Sequence, residues 1–158
     1  MQLHGANSYR QIEYFDNILG FRELESLLCG SIINTGAARR VYECRLNAEW
    51  VIKREISATS QNVVEAEIWS YLGDDPKIGK WLAPVHFISP CGLYLIQSRT
   101  HPVREGERPK RLPAFLDCDL KLDNFGWLGD RLVCHDYGTL IAGLRRRDTR
   151  LVKAKWYA

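Results

Sequence analysis

The sequence predicts an α+β protein in which one helix packs on an antiparallel sheet. Three observations predict it. Short apolar runs separated by turn residues fill 31–55 and 85–97, a single stretch at 61–72 places apolar residues at helical spacing between them, and the remainder is loop-rich. No internal repeat or low-complexity segment interrupts this order.

The elements follow in turn. Ile12, Phe15, Ile18 and Leu19 recur at helical spacing over 8–19, and Gly20 is a stop signal. The stretch 21–28 is ambiguous between a helical turn or two and a strand. From Ser31 the character changes. A Gly-containing loop (Asn34 to Ala37) separates two strands, the second over about 40–46. Asn47-Ala48-Glu49 turns the chain into a third strand at 50–55, completing an antiparallel meander. The helix at 61–72 would place Val64, Ile68, Tyr71 and Leu72 on one face, and Gly73 with Asp74 ends it. Runs at 85–88 and 93–97, separated by Pro90-Cys91-Gly92, read as a hairpin. Residues 100–113, with Pro102, Pro109 and Pro113, read as an exposed connector. Two further short strands, 127–128 and 131–134, flank a Gly129-Asp130 turn, and a basic helix or tail follows Gly138.

Composition bounds the function. With 158 residues, 46% of them hydrophobic and 26% charged, the chain suits one well-packed domain or two small lobes sharing a cleft. No apolar run approaches the roughly 20 residues that span a bilayer. The first ten residues carry no apolar core of a signal peptide, so a cytoplasmic protein without a membrane partner is expected. Five scattered cysteines without a CxxC pair argue for reduced, buried thiols rather than a zinc site or disulfide scaffold. The net charge of +3 is too small to imply nucleic acid. The excess is local, in Arg145, Arg146, Arg147, Arg150, Lys153 and Lys155.

The chemistry lies in Asp119-Leu120-Lys121-Leu122-Asp123-Asn124 and in His135-Asp136-Tyr137-Gly138. Here the sequence resembles the protein kinases. Asp119, Lys121 and Asn124 match the spacing of that family's catalytic loop, and Asp136-Tyr137-Gly138 is similar to its Asp-Phe-Gly signature. Phosphoryl transfer needs phosphates held in place, charge neutralised by Mg²⁺ and an acceptor oriented in line. Mg²⁺ takes hard oxygen ligands. The resemblance therefore implies Asn124 and Asp136 as metal ligands, Asp119 as the group that receives or orients the acceptor hydroxyl, and Lys121 as a partner of the transferring phosphate. Val51-Ile52-Lys53 resembles the family's third-strand lysine motif, which implies that Lys53 holds ATP phosphates. Its carboxylate partner on the next helix is Glu65 or Glu67, with Glu65 preferred because Trp69 and Leu72 then fall where the family places apolar residues. Gly36 would let the backbone approach phosphate, and Val41 would cover adenine, although an ordinary hairpin turn explains the same loop. The segment 95–100 resembles the link between the lobes, whose backbone would hydrogen-bond adenine.

The resemblance implies one kinase-like domain over 1–158, with a small lobe at about 21–100 and a strongly reduced large lobe at about 101–158. Asp117-Cys118 replaces the family's His-Arg, which argues against activation by a phosphorylated loop. Too few residues separate Thr100 from Asp117 for the usual large-lobe helices, so a poorly supported catalytic loop is expected. The short stretch after Gly138 leads to the expectation that an activation segment is missing. Three readings stand. The first is a minimal ATP- and Mg²⁺-dependent phosphotransferase acting on itself, a protein or a small molecule. The second is a pseudokinase-type scaffold or inhibitor that binds a protein partner or a second copy. The third is a module whose stretch from Arg145 to Lys155 contacts nucleic acid or an acidic partner.

Overall fold

A computed structural model describes residues 22–23, 25–117 and 119–157. The helix expected at 8–19 and the position of Cys118 lie outside the described residues. Residues 25–28 are helical, which resolves the ambiguity of that stretch.

The fold is α+β. A five-stranded antiparallel sheet has the order β1-β2-β3-β5-β4, from β1 (Cys29–Thr35), β2 (Arg39–Cys44), β3 (Trp50–Glu55), β4 (Val85–Ile88) and β5 (Tyr94–Ser98). Alternation along these strands sorts side chains to two faces. Tyr42, Ile52 and Ile96 are register partners across β2, β3 and β5, and with Cys29 and Cys44 they form a small buried cluster on one face. Val41, Lys53 and Leu95 are the partners one step away, so they belong to the opposite face. Glu25 ties the helical turn before β1 to the sheet, through Arg54 at 2.7 Å and the Tyr94 hydroxyl at 3.0 Å.

Helix α1 (Gln61–Leu72) packs against β3, β4 and β5. Its buried residues are Asn62, Glu65 and Leu72, whereas Tyr71 is 82% exposed. The apolar face expected from the sequence is thus displaced. The helix is seated by polar groups near its start, and Ile68 and Trp69 join the core beside Leu72. Asn62 is the seat. Its Nδ2 donates to the carbonyls of Lys53, Gly92 and Leu93 at 3.0–3.2 Å, and its backbone N–H donates to Glu55 Oε2 at 3.1 Å.

The rest of the chain carries two smaller sheets, β6-β8-β9 and β7-β10, where β6 is His101–Pro102, β7 Arg111–Pro113, β8 Phe125–Leu128, β9 Arg131–Cys134 and β10 Leu151–Lys153. Helix α2 (Ile141–Arg146) precedes β10. The expected connector at 100–113 is therefore a structured segment, with Val103 and Leu112 buried because β6 and β7 both find partners. The larger hydrophobic core lies here. Leu72, Ile78 and Leu82 meet Phe115, Leu116, Leu120, Phe125, Tyr137, Leu140 and Leu144. Leu120 within 119–124, and Leu116 and Phe125 on its flanks, are all buried in this core and anchor the loop. Cys29, Cys44 and Cys134 are buried free thiols, but Cys91 is exposed on the hairpin turn. No helix among the described residues is long and apolar enough to cross a membrane.

Candidate functional site

One face of the large sheet and the loops at 121–124 and 135–136 enclose a continuous cleft. Its inner part has a volume of about 400 Å³ and is lined by Val41, Val51, Lys53, the 97–103 segment, Phe125 and His135. Its outer part is lined by the loop Asn34 to Ala38, Arg39, Lys121, Asn124 and Asp136, and shares Val41 and Lys53 with the inner part.

A buried charge network closes the back of the cleft. Lys53 Nζ lies 2.8 Å from Glu65 Oε2, while Arg39 Nη2 lies 2.9 Å from Glu65 Oε1 and 2.5 Å from Asp136 Oδ1. Glu65 is fully buried, Lys53 and Arg39 nearly so, and Asp136 keeps a side chain 41% exposed. Lys53 Nζ also donates to the carbonyl of His135. The β2–β3 register produces this convergence. Val41 faces Lys53 and Arg39 faces Glu55, so Arg39, Val41 and Lys53 share the cleft face, and α1 brings Glu65 down between the two cations. Glu67 is exposed, which settles the choice of partner for Lys53 in favour of Glu65.

Electrostatics follow from the packing. Burial pushes the Glu65 carboxyl up, but Lys53 and Arg39 together outweigh it and hold it below the usual carboxylate range. Burial lowers Lys53 from the ordinary lysine value, against the pull of Glu65. Burial also drives His135 down to about 4, with the Lys53 charge adding to it. Its ring is held at both nitrogens, by Thr100 Oγ1 at 2.8 Å on Nδ1 and the Asp123 carbonyl at 2.8 Å on Nε2. A carbonyl only accepts, so the neutral ring carries its proton on Nε2 and Nδ1 accepts from the Thr100 hydroxyl.

The residues singled out in the sequence fall into two groups. Lys53, Val41, Gly36, Lys121, Asn124 and Asp136 all line the cleft, and Glu65 joins through Lys53. The carbonyl of Asn124 accepts the N–H of His135 at 2.9 Å and that of Asp136 at 3.4 Å, which binds the two loops together. Asp119 is engaged elsewhere. Its Oδ2 accepts from Thr139 Oγ1 at 3.0 Å and its Oδ1 from the Tyr157 hydroxyl. Gly36 is exposed in the β1–β2 turn, and an added Cβ would meet only the Arg39 carbonyl at 3.7 Å, so the fold itself does not require glycine there. In the 95–100 segment, two amides are already used within the protein. Ser98 N–H donates to the Pro84 carbonyl at 2.9 Å and Arg99 N–H to the Glu49 carbonyl at 2.7 Å.

Arg39 and His135 escaped the sequence reading. A signal for Arg39 existed, since it lies two residues from Val41 on a strand and alternation puts it on the same face. His135 stands next to Asp136, but nothing local announces that its ring would be pinned beneath the cleft.

Chemically, the cleft offers one buried ammonium, one buried guanidinium and the oxygens of Asp136 and Asn124. The Nη1 atom of Arg39 is buried without a hydrogen-bond partner, whereas its Nη2 is engaged by Glu65 and Asp136. Among the described residues no group of three or more His, Cys, Asp and Glu side chains forms a metal cage. The Asp136 carboxylate, one of whose oxygens is held by Arg39, and the Asn124 side chain line the same outer part of the cleft and are the oxygen donors that could meet a hard cation there. Neither a protein-family model nor a curated protein matches this sequence.

Proposed function

We propose that the chain binds a nucleoside triphosphate such as ATP with Mg²⁺ in this cleft, in a kinase-like manner, and transfers the γ-phosphate to a hydroxyl. The observation that carries the reading is the buried Lys53–Glu65 pair at 2.8 Å, set across the sheet–helix junction beside the loops that bear Asn124 and Asp136. A buried lysine fixed by a carboxylate is a preorganised phosphate ligand, because its position is set before the anion arrives. Val41 and Val51 lie on the cleft face of the sheet and would cover one side of a base, and Asn124 and Asp136 would hold Mg²⁺ between protein and phosphates. The metal would neutralise charge on the transferring group. An antiparallel five-stranded sheet with the helix α1 packed against β3, β4 and β5 is compatible with a kinase-like small lobe.

A second reading draws on Arg39. Its guanidinium already neutralises Asp136 at 2.5 Å, which favours a scaffold whose cleft is closed by an internal cation and whose outer surface binds a protein partner.

Titration calorimetry and thermal denaturation with Mg-ATP separate the two. A ligand at about a hundred times its Kd adds roughly 2.7 kcal/mol, which corresponds to a rise in Tm of about 5 to 10 °C for a chain of this size. The rise should require Mg²⁺ and disappear in Lys53→Met and Asp136→Ala. An unchanged Tm at millimolar Mg-ATP would reject the nucleotide reading and leave the scaffold.

A further inference from the structure

Asp119 is held by the chain's own hydroxyl groups, and one of them is tethered from several directions. Strand β10 pairs antiparallel with β7, and beyond it the Ala154 N–H donates to the Lys110 carbonyl at 3.0 Å. Trp156 Nε1 donates to the Pro109 carbonyl at 2.9 Å, while its ring meets Phe125 edge-on with centroids 5.1 Å apart. Tyr157 then forms a bridge with Lys121, its N–H donating to the Leu120 carbonyl at 3.2 Å. From that position its phenolic hydroxyl donates to Asp119 Oδ1. The residue as a whole remains 50% exposed.

We propose that Tyr157 is a phosphorylation site of this chain, its hydroxyl being the acceptor for intramolecular transfer from the nucleoside triphosphate bound in the cleft. The inference rests on the nucleotide reading above and supplies its missing acceptor. Asp119 in that reading takes the proton of the acceptor hydroxyl, and the side chain that donates to Oδ1 is Tyr157. The Tyr157 oxygen forms a bond to the γ-phosphorus as the bond from that phosphorus to the β–γ bridging oxygen breaks. ADP leaves with the electron pair, and the phenolic proton passes to Asp119. Lys121, whose backbone bridges to Tyr157, also lines the cleft and so links the tethered segment to it. Tethering an acceptor in this way removes the entropy cost of bringing it in from solution, an advantage that intramolecular reactions show strongly. The product phosphate beside Asp119 is repelled by like charge, so the modified side chain leaves that hydrogen bond.

The test uses the full chain with Mg-ATP labelled in the γ-phosphate, followed by mapping of the modified residue by mass spectrometry. One phosphate is expected on Tyr157, with a first-order rate constant that does not change with protein concentration. Tyr157→Phe, which keeps the ring, and Asp119→Asn should both lose the label while still giving a thermal shift with a non-hydrolysable ATP analogue. Three results overturn the proposal while nucleotide binding stands: analogue binding without label on Tyr157, full label in Tyr157→Phe, or a rate that rises with protein concentration. Failure of the analogue to bind removes the nucleotide reading, and this proposal with it.

Discussion

Replacing Glu65 by Gln isolates the charge that organises the cleft. The side chain is isosteric and fully buried, so no cavity forms, but its negative charge disappears from between Lys53 and Arg39. The amide can accept from only one of them with its oxygen, and its NH₂ group opposes the other. Two cations, each at most 6% exposed, then share a pocket with Asp136 alone, whose 41% exposed side chain is largely compensated by water. Removing one partner from a buried ion pair costs about 3 to 5 kcal/mol. For a chain of this size that is a fall in Tm of about 6 to 20 °C. Urea denaturation, read as a change in midpoint at constant slope, gives the figure directly. The same logic predicts recovery. The variant combining Lys53→Met, Arg39→Met and Glu65→Leu should return to within about 2 kcal/mol of the parent, because apolar packing replaces a pair whose attraction mostly offsets its desolvation. A loss below about 1 kcal/mol in Glu65→Gln would refute this account, since it would mean that the pocket is wet enough to solvate both cations.

Two further outcomes are expected. Because His135 is depressed to about 4 in the folded chain, the unfolded chain binds its proton first as pH falls from the ordinary histidine value near 6.5, so folding stability drops through that window. The loss should reach roughly 2 kcal/mol between pH 6.5 and 5; Glu65, held low by its cations, adds its own loss only below that range. His135→Gln should flatten the urea-midpoint profile over this interval, and a profile unchanged by the substitution would contradict a neutral, half-buried ring. Gly126→Ala should destabilise by about 1 to 3 kcal/mol, because its Cβ would sit 2.5 Å from Thr100 Cβ and 2.9 Å from the His101 carbonyl. Since Thr100 holds His135, that variant should also shift the histidine resonance in an NMR titration.

Much of the secondary structure was legible in the sequence. The ends of β3, α1, β4 and β9 coincide with the runs expected, because turn residues such as Asn47, Gly73, Gly92 and Gly129 punctuate them. Gly92 and Gly129 do adopt positive φ, at 72° and 62°. The face of α1 was not legible. Apolar periodicity points to Tyr71, yet the buried positions include Asn62 and Glu65, whose value comes from partners more than eight residues away in sequence. The pairing of β7 with β10 was equally hidden, since three-residue strands carry almost no periodic signal.

The sequence by itself determined the α+β class, the order of the strands and helix, and the residue types at 53, 65, 119, 121, 124 and 136 on which a phosphate-handling reading depends. It did so because local turn chemistry and two-residue alternation are written in neighbouring positions. Tertiary structure alone decided that Glu65 rather than Glu67 meets Lys53, that Arg39 stands between Glu65 and Asp136, and that Tyr157 reaches Asp119. Those contacts join residues 12 to 97 positions apart, and whether a buried charge finds its counterion depends on register and packing rather than on the residues beside it.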